Sequence, residues 1–155
     1  MPRPQILLPA HAYLPGRTAR HPEGCFDGLK AGLQPGMNWR QVAACPAWRN
    51  GVALIRLGYF WEAHEVLEAV WMHTAQGSAE RALVQGVIQI ANAWLKLRMA
   101  KPKAAFRILE MATGHVETAG RLDRSGASGP ARRHAACCIA RLALRCREMQ
   151  KNNAL

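Results

Sequence analysis

The fold of this chain is decided by the stretch Tyr59-Phe60-Trp61-Glu62-Ala63-His64-Glu65-Val66-Leu67-Glu68-Ala69-Val70-Trp71. It contains no glycine or proline, and it places three glutamates and one histidine among aromatic and aliphatic residues. At helical spacing His64 shares a face with Phe60, Leu67 and Trp71, and Glu68 lies along the edge of that face. The pattern predicts a helix over residues 59–73 with a polar site on a surface that faces the core, where the imidazole of His64 would be removed from water.

A second helix, predicted over residues 79–99, complements the first. Ser78 is a natural N-cap for it. Its apolar face is broad, and the opposite, narrower stripe is formed by Gln85, Gln89, Asn92 and Lys96. A solvated helix face normally carries more charge than three amides and one lysine, so this stripe predicts partial burial against another polar group. We therefore expect the amide stripe to face helix 59–73.

Three further helices are predicted from their boundaries. Pro46 suits the first position of a helix that ends before Gly58, and Pro130 opens a basic C-terminal helix over about residues 130–150. Another helix begins near Lys101-Pro102 and ends before Gly120. No β-strand run or internal repeat is present, and the 155 residues suffice for one real core. The sequence predicts an all-α fold, a compact irregular bundle of about five helices forming a single helical domain over residues 37–155.

Residues 1–36 form a different kind of segment. Six prolines and five glycines exclude long regular elements there, but the segment also has apolar residues to bury. We predict an ordered proline- and glycine-rich arm packed on the helical domain. His11 and His21 lie in this arm, where surface or packing roles are favoured over a role in a site. Glu62 falls nearly opposite Phe60 on its helix, so it is better placed for the arm or solvent than for His64.

The charge and the cysteine content limit the functions that the chain can have. The net charge is +11, and most of it belongs to residues 96–155, which carry 13 basic and 4 acidic side chains. Five cysteines, an odd number without C-x-x-C spacing, are typical of reduced thiols and favour a cytoplasmic location. The most apolar stretch, residues 87–97, is too short to span a bilayer, so no membrane association is expected.

Two of these segments together resemble a known family. Gly58-Tyr59-Phe60-Trp61-Glu62-Ala63-His64-Glu65-Val66-Leu67-Glu68-Ala69-Val70-Trp71, followed by Leu83-Val84-Gln85-Gly86-Val87-Ile88-Gln89 and Ala91, is similar to the hallmark of the domain of unknown function 309 family. The resemblance spans about residues 46–115. It implies a compact helical fold in which the two helices face each other, and it implies no activity.

The chemistry of the site leaves several hypotheses open. The first is a small helical interaction or scaffold module in which His64, Glu68 and the glutamines Gln85 and Gln89 form a structural or ligand-holding clasp between two helices. The second is a hydrolase-like or metal-binding enzyme that uses His64 with Glu65 or Glu68. No cofactor is otherwise predicted. His64-Glu65-Val66-Leu67-Glu68 is like the H-E-x-x-H helix of zinc proteases with glutamate in place of the second histidine, which removes a ligand.

Aromatic residues, the basic C-terminal helix and the apolar faces of helix 59–73 suggest further binding partners. Tyr59, Trp61 and Trp71 could wall a cleft for a small molecule above the polar residues. The basic C-terminal helix suggests a nucleic-acid-associated protein, although no nucleic-acid-binding motif accompanies the charge. The many apolar faces of helix 59–73 suggest a homodimer.

Overall fold

The computed structural model describes residues 8–154. Within that range the chain forms six α-helices, a short 3-10 helix and no strand. The helices are α1 (Trp39–Ala44), α2 (Pro46–Leu57), α3 (Phe60–Met72), α4 (Ala79–Arg98), α5 (Pro102–Leu122) and α6 (Gly129–Asn152), and the 3-10 helix covers Asp27–Leu29. The all-α prediction is confirmed, with five long helices and the short helix α1.

The helices begin and end for local reasons. Pro46 occupies the first turn of α2, and Gly58 ends that helix with a φ of 86°, a left-handed conformation that a side chain would strain. The hydroxyl of Ser78 accepts the backbone N–H of Arg81 at 3.1 Å and caps α4. The turn between α3 and α4 thus fixes where the two site-bearing helices meet.

Helix α4 lies at the centre of the bundle. One apolar cluster joins the arm, α1, α2 and α3 to one side of α4, and the other joins the opposite side of α4 to α5 and α6. Gly51 on α2 allows close packing on α3, because a Cβ atom there would lie 2.5 Å from Leu67. Gly86 on α4 allows close packing of α5, because a Cβ atom at this position would lie 3.1 Å from the side chain of Val116. The face of α4 that carries the amides is left for α3.

The arm packs against α3. Residues 8–36 of the predicted arm are described, and its first seven residues lie outside the described range. Phe26 is buried, and the ring of Tyr13 meets Trp61 edge-on at a centroid distance of 5.0 Å. Among residues 8–154 no helix is both long and apolar enough to cross a bilayer.

Candidate functional site

The imidazole of His64 joins α3 to α4. Its Nδ1 lies 2.7 Å from Oδ1 of Asn92, and Nδ2 of Asn92 donates to Oε1 of Gln89 at 3.2 Å. Because the amide of Asn92 is oriented by Gln89, its oxygen faces the ring and Nδ1 of His64 is the donor. The lone pair of the neutral ring is therefore on Nε2, at the opposite edge.

Two carboxylates lie on the Nε2 side of the ring. Nε2 is 3.8 Å from Oε2 of Glu68, one helical turn further along α3. One ligand atom from each of His64, Glu65 and Glu68 can be chosen so that all three lie within 4.8 Å of one another. At 3.8 Å the imidazole and the carboxylate are too far apart for a hydrogen bond, so the space between them is not closed by a direct contact.

The cluster is accessible to solvent. The side chain of His64 is 32% exposed and that of Glu68 is 49% exposed. The sequence suggested that the imidazole would be removed from water, whereas the structure leaves about a third of it accessible. The reason is position, since His64 lies at the edge of the α3–α4 contact and the neighbouring Val66 and Leu67 are in the core. Ions and small solutes can reach this site.

The remaining predicted site residues are distributed around the cluster. Gln89 orients Asn92, and Gln85 is half-buried two helical turns before Asn92 on α4. The ring of Trp71 carries the guanidinium of Arg81 at 3.9 Å from its centroid. Trp61 packs against the arm, and Tyr59 is half-buried just before α3 begins. The two tryptophan rings thus contact other parts of the same chain.

A second polar cluster lies beneath the arm. Glu62 is fully buried, and its Oε1 accepts the backbone N–H of Tyr13 and lies 2.7 Å from Nε2 of His21, whose side chain is 5% exposed. The other oxygen, Oε2, is buried with no hydrogen-bond partner among the described residues. His11 stacks on His21 with a centroid distance of 4.6 Å. Glu62 and His21 form an ion pair whenever the imidazole is protonated.

Sequence reasoning missed the importance of two of these residues. Asn92 belonged to the predicted amide stripe, but His64 contacts it directly and Gln89 only through it. For Glu62 the sequence predicts a position toward the arm or solvent; the structure shows the contact with the arm but leaves the carboxylate no access to water. The available signal was spacing, because Glu62 precedes the apolar residues Val66 and Val70 by one and two helical turns.

The basic helix α6 presents its arginines to solvent. Its exposed arginines are Arg133, Arg141, Arg145 and Arg147. Two of them lie against aromatic rings, with Arg145 over Trp94 and Arg147 over Phe106. The nucleic-acid hypothesis stays a prediction. The apolar face of α3 that suggested a homodimer is covered by the arm, α2 and α4 in one chain, so α3 no longer argues for self-association.

The arrangement of α3 against α4 can be compared with known families. Residues 48–108 match the family model of the domain of unknown function DUF309. This confirms the resemblance over a range slightly narrower than residues 46–115. The DUF309 region covers α2, α3, α4 and the first part of α5, and it contains every residue of the His64 cluster. The arm and α6 lie outside it. No curated protein and no solved structure matches the chain.

Proposed function

We propose that this chain is a small helical protein that binds a divalent metal ion through His64, Glu65 and Glu68 at the clasp between α3 and α4. The observation that carries the proposal is the orientation of the His64 ring. Nδ1 is held by Asn92, which directs Nε2 at the carboxylates. Metal-binding histidines are commonly oriented this way, with the second ring nitrogen donating to an oxygen that fixes the tautomer.

The donor set supports a borderline metal such as zinc. One imidazole nitrogen and two carboxylate oxygens bind Zn²⁺ at roughly 2.0–2.2 Å, so two ligand atoms on one ion are at most about 4.4 Å apart. The pair of His64 and Glu68 already lies within that limit at 3.8 Å. The three atoms are all within 4.8 Å of one another, so rotation of the carboxylate side chains is needed to bring all three onto one ion.

The number of ligands indicates the chemistry. A site with three protein ligands leaves a coordination position for water, whose pKa a bound metal lowers toward neutrality. Metal-assisted hydrolysis is therefore the reaction class that this cluster would serve. The scaffold hypothesis uses the same contact between His64 and Asn92 and the charge contact between His64 and Glu68, but it assigns no role to Glu65 beside them.

Metal titration of untagged protein tests the proposal. We expect saturable binding of one Zn²⁺ or Co²⁺ per chain by calorimetry, lost in His64→Ala and strongly weakened in Glu65→Gln and Glu68→Gln. Asn92→Ala should weaken binding by about 10–100-fold, because it removes the group that orients the ring. His134→Ala and Glu148→Gln, both exposed on α6, are matched controls that should bind as the parent does.

Two results would overturn the metal site. One is a failure of the parent protein to bind either ion more tightly than His64→Ala does. The other is an unchanged affinity in both glutamate variants, which would place the ion elsewhere.

We also propose a reducing, cytoplasmic setting. Cys137 is exposed next to the half-buried Cys138, and Cys25 is exposed in the arm. Exposed free thiols persist where thiols are kept reduced.

A further inference from the structure

A groove separates α2 from α6 on the outer side of α4. Helix α6 packs on α4 and α2 packs on α3, and the space between α2 and α6, which α4 also lines, has a volume of about 270 Å³. Its floor is mostly apolar, from Trp48, Val52 and Ile55 on α2 and Val87 and Ile90 on α4. None of these residues belongs to the His64 cluster, so the groove is independent of the proposed metal site.

The rim of the groove is cationic. Its polar lining residues are Arg56 on α2 and His134 and Cys138 on α6. Arg141 lies one helical turn beyond Cys138 on α6. Burial raises the pKa of the Cys138 thiol, while the positive charges of Arg141 and Arg56 act to lower it. Arg141 itself lines the adjoining pocket, which shares Cys138 with the groove. A guanidinium group from α2 and one from α6 therefore both lie near Cys138.

None of the described residues that line this groove is acidic. Among residues 8–154 the salt bridges involve neither Arg56 nor Arg141. Both arginines are exposed, and a planar guanidinium pairs well with a carboxylate. An apolar floor with a positively charged end is complementary to a molecule that has an aliphatic body and an anionic head.

The size of the groove limits the occupant. A volume of 270 Å³ corresponds to about nine water-sized units at about 30 Å³ each. An amphipathic helix of a partner protein needs a longer apolar surface than these few side chains provide. A free aliphatic carboxylate of about eight carbons fits, with its chain on the floor and its head at the rim.

We propose that the groove between α2, α4 and α6 is a binding site for a medium-chain aliphatic carboxylate, with the chain against Trp48, Ile55 and Val87 and the carboxylate paired with Arg56 and Arg141. The α6 side lies outside the region that matches DUF309, so the complete site is a feature of this chain rather than of the matched region.

Octanoate is the probe, with octanol and butyrate as matched ligands. Octanoate should bind saturably in calorimetry, and octanol and butyrate should each bind at least about tenfold more weakly, since one lacks the charge and the other most of the chain. The double variant Arg56→Gln/Arg141→Gln should lose at least about tenfold in octanoate affinity. Arg133→Gln, an exposed arginine of α6 outside this groove, should bind octanoate as the parent does.

A second measurement locates the ligand. Cys138 lines the groove and the adjacent Cys137 is exposed, so octanoate should slow alkylation of Cys138 by iodoacetamide while leaving Cys137 unaffected. The groove-filling variant Ala131→Phe should abolish binding, and its helical content is checked by circular dichroism. If it does not fold, the arginine variants still test the site, because their side chains are exposed.

Four results would overturn the proposal. They are no saturable octanoate binding up to about 10 mM, equal affinity for octanol and octanoate, unchanged affinity in the double arginine variant, and binding to vesicles of anionic lipid without binding to free octanoate. The last result would identify α6 as a membrane-surface element instead.

Discussion

The buried pair of Glu62 and His21 predicts that the arm is fastened to α3 by one carboxylate. Glu62 is fully buried and His21 is 5% exposed, so Glu62→Ala would remove a desolvated acceptor and leave the imidazole and the N–H of Tyr13 without their partner. Breaking a buried pair by removing one member costs about 3–5 kcal/mol. For a chain of this size we expect the melting temperature to fall by about 6–20 °C.

The companion variants separate charge from shape. Glu62→Gln keeps the volume and an acceptor oxygen for Tyr13 but loses the charge, so it should cost about 1–3 kcal/mol. His21→Ala should also destabilise, and the double variant His21→Ala/Glu62→Ala should cost clearly less than the sum of the two singles, because both single variants break the same contact. Glu110→Ala, an exposed glutamate of α5, is the matched control and should change the unfolding free energy by less than about 0.5 kcal/mol.

Two assays together identify the mechanism. Urea unfolding followed by circular dichroism gives the free energies. Hydrogen exchange measured by NMR follows the amide of Tyr13, which donates to Glu62 and should exchange much faster in Glu62→Ala. The reasoning is refuted if Glu62→Ala loses less than about 1 kcal/mol and the exchange rate of the Tyr13 amide is unchanged.

Two further predictions concern the contact between α2 and α3 and the turn between α5 and α6. Gly51→Ala should destabilise the protein in urea unfolding, because the clash with Leu67 costs about 1–3 kcal/mol and outweighs the helix-propensity gain of up to about 1 kcal/mol; Gly114→Ala, where the space is open, should stabilise instead. Asp123→Ala should cost about 1–3 kcal/mol at pH 7. The pKa of this carboxyl is lowered to about 2, chiefly by the hydroxyl of Ser128. Its contribution is therefore complete above about pH 4 and lost as the pH falls toward 2, so the difference between Asp123→Ala and the parent should shrink over that range. A pH-independent difference would contradict this assignment.

The helices could be predicted because their boundaries are local. Pro46, Gly58, Ser78 and Pro102 mark helix ends through backbone chemistry that depends on a few neighbouring residues. The predicted ends of α2, α3 and α4 lie within one residue of the observed ones. Only α5 and α6 run beyond the predicted stops, and in α5 the reason is that Gly120 does not adopt the left-handed conformation that would end the helix.

The partners within the site could be predicted only in part. Periodicity placed His64 and the amides on faces that meet, but the choice of Asn92 over Gln85 depends on the relative shift of α3 and α4, which is set by the packing of the apolar residues along both helices. The partner of Glu62 was even harder to predict from the sequence. The arm has no periodicity, so nothing in its sequence states that His21 rather than His11 reaches the carboxylate.

The anchoring of the arm has a consequence for the order in which the chain folds. The contacts of Glu62 with His21 and Tyr13 join residues 41 and 49 positions apart, whereas α3 itself forms from near neighbours. Closing such long loops has an entropic cost that is offset only after the surface of α3 exists. We therefore expect the arm to dock late and its contacts to act on the rate of unfolding rather than on the rate of folding. Residues 8–36 would then lengthen the lifetime of the native helical bundle without speeding its formation.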